Sequence, residues 1–173
     1  LGLIFLGLSL MSAALEDYQA EIQNVFALVK NPFLLFLIGV FLTALVQSSS
    51  ATTSVLIAMS VAGLKIGTGG NEALYVILGT NIGSCVTALM SSFGANANAK
   101  RASLIHLMFN TFGSIIFFAF LLLYKNFSQD VLRKLFSSSA TQIAMFHTFF
   151  NLVCTIMFLP FSKLFVKLAT LII

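Results

Sequence analysis

The sequence predicts an all-α membrane protein whose transmembrane helices include a re-entrant or broken helix pair. Hydrophobic residues make up 59% of the chain and charged residues only 8%, whereas a soluble domain has roughly 25% charged residues. Residues 47–54 (QSSSATTS) place seven hydrogen-bonding side chains inside the apolar stretch 32–64. Polar groups at membrane depth persist only when they are buried in protein or line an aqueous cavity. The interruption therefore predicts a solute site near the bilayer midplane.

The positive charge of the chain is typical of membrane anchoring. The formal net charge of +4 rests on nine Lys and Arg, which lie between or beside the apolar runs. This distribution indicates juxtamembrane anchors next to a lipid bilayer and gives no indication of a nucleic-acid surface.

The chain opens on an incomplete apolar element. Residues 1–15 are apolar but fall short of the roughly 20 residues that a membrane span needs. Because Leu1 is not Met and lies inside this run, we expect a fragment or one half of a larger protein. Residues 16–31 form a polar, partly amphipathic connector.

The next element is the interrupted one. Pro32 suits the first turn of a helix. The apolar pieces 33–46 and 55–64 are each too short to cross a bilayer alone. Two arrangements fit the stretch 32–64: a hairpin that enters and returns with its polar residues at the tip, or one long helix broken in the middle.

A second polar interruption, Gly79–Ser84, leads us to expect that the helix over 73–92 is also broken. Its glycines can bring backbone close to a ligand, and its Asn and hydroxyl groups supply donors and acceptors. Two discontinuous helices that face each other offer N–H groups to an anion and oxygens to a cation. Close helix packing is the simpler explanation of the same small residues.

The remaining elements form the scaffold. Residues 63–72 are a glycine-rich loop, 102–124 are long enough to span with some tilt, and 143–160 are a last span. The intervening segment 125–142 is amphipathic and is expected at the membrane interface. We therefore treat residues 1–173 as a single membrane domain.

At its polar motifs the chain resembles the sodium-dependent phosphate cotransporters of type II. The resemblance covers most of the chain and includes 47–53, 79–87 and the HLMFN run at 106–110. Members carry two inverted repeats, each with its own Gln-Ser-Ser-Ser motif, and the two motifs meet to form the sodium and phosphate sites. This chain has one motif and its layout looks like the second repeat. Cys85 stands where most members have Thr.

The resemblance implies one half of an inverted-repeat transporter in the bacterial inner membrane. Its activity would be sodium-coupled symport of inorganic phosphate, with Na⁺ as the coupling ion and no cofactor. A second repeat, in the same longer chain or in a second copy, would be the partner. The candidate phosphate ligands are Gln47, Ser48, Ser49, Ser50 and Asn81. The candidate sodium ligands are Ser49, Ser50, Thr52, Thr53, Thr80, Asn81 and Ser84, and no other metal is expected.

Two His–Asn pairs recur outside the candidate site. His106 and Asn110 are four residues apart, as are His147 and Asn151, so each pair lies on one helix face. A proton relay or solute contacts would fit this spacing. Hydrogen bonds between helices that hold the scaffold fit it better.

The charge inventory predicts that solute and cation bind together. No Asp, Glu, Lys or Arg lies within the apolar segments around the two interruptions. Phosphate would then be compensated by sodium, helix ends and neutral dipoles, and each ion alone would leave an uncompensated charge in low dielectric.

Two other classes of function remain as alternatives. An intramembrane serine hydrolase would use one of Ser48–Ser50 as nucleophile with His106 or His147 as base. Three adjacent serines followed by threonines suit coordination better than one activated nucleophile, so we expect no enzyme. A non-transporting assembly or pore subunit would conduct ions without saturation by phosphate.

Overall fold

The structure, a computed structural model, describes residues 2–64, 66 and 69–173. Helices account for all the regular secondary structure of the described residues. The longer helices are α1 (Gly2–Glu16), α2 (Gln19–Leu28), α3 (Pro32–Val46), α4 (Ser49–Val61), α5 (Glu72–Ser92), α6 (Ala97–Leu123), α8 (Ser139–Phe158) and α9 (Ser162–Ile172). A π-helical turn, Ser128–Leu132, leads into the single turn α7 (Arg133–Leu135), and a 3₁₀ turn, Leu159–Phe161, joins α8 to α9.

Helix length and composition confirm the predicted membrane fold class. Among the described residues, three helical stretches are long and apolar enough to cross a bilayer: Glu72–Ser92, Ala97–Leu123 and Ser139–Ile172. The pair α3 and α4 passes the same test only when taken together, and its axes bend by 119° at the break. The re-entrant or broken pair predicted over 32–64 is therefore present.

Helices α3 and α5 pack in parallel at backbone contact. A Cβ atom on Gly79 would collide with the carbonyl oxygen of Phe36, and one on Gly39 with that of Val76. Further along both helices, a Cβ on Gly83 would lie 2.7 Å from Cβ of Thr43. Because later residues of α3 meet later residues of α5, the two helices run in the same direction.

Helix α4 returns along this pair, so the geometry favours the hairpin over a broken span. Leu56 and Ser60 near the end of α4 line the same cavity as Leu74 near the start of α5. Since α3 also begins beside the start of α5, both ends of the α3–α4 pair lie toward one side of the bundle. Helix α1 supports α4 through Ser12, whose hydroxyl donates to the Ala58 carbonyl at 3.3 Å.

Helices α6 and α8 form the scaffold behind α5. Buried Asn71, next to the start of α5, donates to the carbonyl oxygens of Leu121 (3.1 Å) and Tyr124 (2.8 Å) and so holds the end of α6 there. In the last third of α6, Phe117 packs edge-on against Phe150 of α8, with ring centroids 5.0 Å apart. These contacts fix α5 and α6 as an antiparallel pair.

The predicted break over 73–92 is wrong, because α5 is one continuous helix of 21 residues. The polar side chains that suggested a break are satisfied by their own helix. Thr80 donates to the Ile77 carbonyl at 2.7 Å, Asn81 to the same oxygen at 3.0 Å, and Ser84 to the Asn81 carbonyl at 2.8 Å. The glycines serve the contact with α3.

The boundaries of the other segments also differ in places. Helix α8 begins four residues before the span predicted over 143–160, because Ser138 caps it by accepting from the Thr141 N–H at 3.4 Å. The connector 16–31 contains α2, and 125–142 contains short helical turns. Within the glycine-rich loop 63–72, residues 65, 67 and 68 lie outside the described residues.

Candidate functional site

The hairpin tip is built on a left-handed residue. Gln47 has φ 59° and ψ 22°, a region that residues with a Cβ rarely adopt. Its N–H donates to the Thr43 carbonyl at 2.6 Å, which ends α3. The Gln47 carbonyl accepts from the Thr87 hydroxyl of α5 at 3.2 Å, and its amide nitrogen lies 3.8 Å from the Met90 sulfur. The turn is thus tied to α5 by backbone and side chain.

Ser48 starts the second half of the hairpin as the N-cap of α4. Its hydroxyl accepts from the Ala51 N–H at 3.2 Å and lies 3.2 Å from the Ser50 hydroxyl. The N–H groups of Ser49 and Ser50 stand in the first turn, where no intrahelical acceptor precedes them. The helix dipole adds a partial positive charge at this end. The tip therefore presents hydrogen-bond donors suited to an anion.

Other hydroxyl groups at the site are arranged as acceptors. Thr52 donates to the Ser48 carbonyl at 3.0 Å, and Ser54 donates to the Ser50 carbonyl at 2.9 Å. Because the hydroxyl hydrogen is used within the helix, the oxygen keeps its lone pairs for a third group. Thr80 and Ser84 on α5 are bonded in the same manner. Such oxygens suit a hard cation.

Among the described residues, two buried hydroxyl groups have no hydrogen-bond partner. They belong to Thr43 on α3 and Thr53 on α4, which are 0% and 5% exposed. A buried polar atom without a partner costs about 1–3 kcal/mol, so such an atom in a native protein calls for a water molecule or ion. Both orphan hydroxyls lie within two turns of the hairpin tip.

Helix α5 presents a face of hydroxyl groups to the tip. Thr80, Ser84, Thr87 and Ser91 recur at i, i+4, i+7 and i+11, which is one face of a helix. The bond from Thr87 to Gln47 shows that this face is directed at the hairpin. Asn81 lies on the side of α5 that faces α6. It is one helical turn before Cys85, whose thiol is near the carbonyl oxygens of Asn81 (3.5 Å) and of His106 on α6 (3.7 Å).

The geometry thus brings a helix N-terminus suited to an anion and a row of hydroxyl oxygens to one polar break in an apolar hairpin. The sequence profile of the Na⁺/Pi-cotransporters matches residues 3–135 of the chain. The chain belongs to the Na⁺/Pi-cotransporter family. This confirms the resemblance drawn from the Gln-Ser-Ser-Ser motif.

Curated relatives agree with this family assignment. Protein YqeW of Bacillus subtilis is 31% identical over the whole chain, which covers 55% of that relative. The "Putative inorganic phosphate export protein YjbB" of Escherichia coli K12 is 34% identical over 93% of the chain and 29% of its own length. The rat sodium-dependent phosphate transport protein 2A is 36% identical over 49% of the chain and 14% of its own length.

The chain spans about half the length of the Bacillus relative and less than a third of the other two. No solved structure matches the chain. The names of the E. coli and rat relatives describe phosphate export and phosphate transport. Membership of this transporter family confirms the expectation that the chain is not an enzyme.

Each His–Asn pair is joined by a hydrogen bond within its own helix, and only the Asn110 side chain also bonds to a neighbouring helix among the described residues, at the Cys85 thiol of α5. In each pair the Asn amide donates to the backbone carbonyl of the His four residues earlier, Asn110 to His106 at 3.0 Å and Asn151 to His147 at 2.8 Å. Both bonds lie within one helix. The His106 side chain is exposed, and the buried Nε2 of His147 has no hydrogen-bond partner.

Three residues around the tip were missed as site candidates. Thr87 and Met90 of α5 contact Gln47, and Thr43 of α3 carries an orphan hydroxyl. Only Thr87 had a signal in the sequence, since it continues the row of hydroxyls from Thr80 and Ser84 at helical spacing. Thr43 and Met90 lie in ordinary apolar runs.

Proposed function

We propose that the chain is one repeat of a sodium-coupled symporter of inorganic phosphate. The observation that carries this proposal is the polar tip at Gln47–Ser50, where α4 begins inside an apolar hairpin. A helix N-terminus with serine hydroxyls is a suitable site for a small oxyanion. Family membership makes inorganic phosphate the natural solute.

Phosphate is bound in this proposal by the residues of the tip. The N–H groups of Ser49 and Ser50 and the hydroxyls of the three serines donate to phosphate oxygens. The exposed Gln47 amide supplies a further donor from the turn. Asn81 is left out of this donor set, because it lies toward α6 and its amide donates to the Ile77 carbonyl of its own helix. Backbone donors need no fixed cation, which agrees with the absence of Lys and Arg from α3, α4 and α5.

Sodium is bound by hydroxyl and carbonyl oxygens on both walls. The proposed ligands are Ser49, Ser50, Thr52, Thr53, Thr80 and Ser84. Thr53 adds a specific argument, because its buried hydroxyl lacks a partner and a bound cation would provide one. Helices α3 to α5 contain one ionised side chain, Glu72 at the first position of α5. Phosphate and sodium then neutralise each other, which couples their binding.

Transport requires the site to open alternately to the two sides of the membrane. We infer that the hairpin and α5 move together, because Gly39, Gly79 and the Thr87–Gln47 bond join them at backbone contact. The scaffold of α6 and α8 provides the surface against which they move. A second repeat, in a longer chain or a second copy, supplies the other half of the site in the bacterial inner membrane.

The test is uptake of radiolabelled phosphate into proteoliposomes that hold this repeat together with a second repeat, under an inward sodium gradient, with an equal potassium gradient as control. Sodium should drive uptake, and the half-saturating phosphate concentration should fall steeply as sodium rises. Thr52→Ala should raise the sodium requirement. Thr148→Ala is the matched control, since Thr148 has the same bond to the carbonyl four residues earlier but lies on α8. Equal uptake in sodium and potassium, or equal effects of the two variants, would contradict the proposal.

A further inference from the structure

A polar cavity lies at the opposite end of α4 from the hairpin tip. Its volume is about 340 Å³, and it is enclosed by the end of α4, the start of α5 and residues 128–143. Its polar lining includes Arg133, Gln129, Gln142, Ser60, Ser137 and Ser139. This volume is at the lower end of the range for small-ligand pockets. It suits a small hydrated ion better than a large organic molecule.

The charged groups around the cavity favour the binding of an anion. Arg133 is the only ionised side chain among the described residues that line it. The 20-residue helix α8 begins here, with Ser138 as its N-cap, so its first-turn N–H groups and positive dipole end lie at the same place. The carboxylate of Glu72 lies beside Gly70 at the rim and opposes this field. Arginine and a helix N-terminus both favour phosphate-like oxyanions.

One face of α4 connects this cavity to the tip. Ser49, Thr53, Leu56 and Ser60 recur at i, i+4, i+7 and i+11, and the last two line the cavity. Leu56 is 1% exposed and Thr53 is 5% exposed, so the route between the two ends is closed at these side chains. The orphan hydroxyl of Thr53 lies on this face, between the cavity and the tip.

We propose that this cavity is an anion vestibule in which inorganic phosphate binds before or after it occupies the hairpin tip. Arg133 holds the oxyanion, and Leu56 with Thr53 closes the path along α4. The inference rests on the proposed function for the identity of the anion. The vestibule site itself depends on Arg133 and not on Gln47.

The test measures the reaction of a cysteine placed in the cavity. Ser137→Cys in the full chain is labelled with anionic and cationic methanethiosulfonates at low ionic strength, and the native Cys85 and Cys154 are 0% exposed. In water, one unit charge changes the concentration of a monovalent ion about threefold at a separation of about 6 Å. Arg133→Gln should therefore lower the anionic-to-cationic rate ratio about tenfold. Glu72→Gln should raise it.

Lys134→Gln is the matched control, because Lys134 is an exposed neighbouring cation that does not line the cavity. Inorganic phosphate should slow labelling relative to chloride at equal ionic strength, and Arg133→Gln should abolish this protection. Protection should persist in Gln47→Ala, a variant that we expect to lose uptake. Loss of uptake in Gln47→Ala together with retained protection by phosphate would show that the vestibule binds the anion independently of the tip. No protection in the parent protein, loss of protection in Gln47→Ala, or equal effects of Arg133→Gln and Lys134→Gln would overturn the proposal.

Discussion

Gln47 combines a left-handed backbone with an amide side chain, and the two contributions can be separated by mutation. Glycine adopts φ 59° without the penalty of about 1–2 kcal/mol that a Cβ brings there. Gln47→Gly should therefore leave thermal stability unchanged or raise it, while phosphate transport is lost with the amide. Gln47→Ala should lose transport and keep the backbone penalty. Melting temperature and sodium-driven uptake, measured on the same preparations, check both statements.

The outcome that would contradict this assignment is specific. If Gln47→Gly transports phosphate as well as the parent protein, the residue acts only by ending α3, and its amide has no part in binding. The exposed Thr148→Ala on α8, outside both the tip and the vestibule, controls for general effects of a substitution on reconstitution.

The sequence could predict the residues of the tip but not everything that surrounds them. Gln47 and Ser48 were visible because polar residues inside an apolar run need a partner, and serine is a strong N-cap. Thr43 could not be recognised, since one threonine in an apolar helix usually bonds to its own backbone. Its orphan hydroxyl depends on α5, which lies against α3 at Gly83. That contact joins residues 40 positions apart.

Among the elements, the α3–α5 pair depends on the absence of side chains. A methyl group on Gly79 would collide with the backbone of α3, which cannot yield as a flexible side chain would. Gly79→Ala should therefore destabilise the protein by about 3 kcal/mol, the upper end of the usual cost of overpacking. Gly7→Ala is the matched control, because a Cβ on this helical glycine of α1 meets nothing within 4 Å. Thermal unfolding in detergent measures both variants.

Equal melting temperatures for the two variants would show that α3 and α5 separate easily. In that case the hairpin could not move with α5 as one unit. A large loss for Gly79→Ala together with a neutral Gly7→Ala supports the backbone contact on which the proposed movement relies.

The same glycines explain why the break in α5 was predicted wrongly. The string GTNIGS at 79–84 is equally compatible with an unwound segment and with a helix that packs closely. Local propensity cannot decide between them, because the deciding contact is with α3. The break at Gln47–Ser48 was predictable, since the apolar pieces beside it are too short to cross a membrane separately. The lengths of the two apolar pieces predicted the break in the hairpin, whereas tertiary packing against α3 determines that α5 is continuous.

At the scale of the whole molecule, the hairpin tip needs further polypeptide around it. Gln47, Ser50 and Ala51 are exposed in the structure, although they lie about 22 Å along α5 from its start, at the level of Thr87. Lipid cannot satisfy polar groups at such a depth. The chain covers 55% of its Bacillus relative, so a full-length member has enough additional sequence to cover this surface. A second repeat at the tip would supply that cover.

The direction of the helices leads to a prediction about membrane sides. In a hairpin, the residue before α3 emerges on the same side as the end of α6, because α3 and α5 run in parallel and Asn71 holds the end of α6 beside the start of α5. Lys30→Cys and Asn126→Cys should therefore react with an impermeant maleimide from one side of the membrane. Ala97→Cys, at the start of α6, should react from the other side.

The pair Asn126 and Ala97 serves as an internal control, since they lie at opposite ends of α6 in any arrangement. Labelling of Lys30→Cys from the side of Ala97 would contradict the hairpin and establish a single broken span. All three positions are exposed, and the native cysteines are buried, so background labelling should be low.

With the hairpin established, the vestibule and the tip lie toward opposite sides of the membrane. A phosphate ion that passes from one to the other along α4 then crosses most of the bilayer.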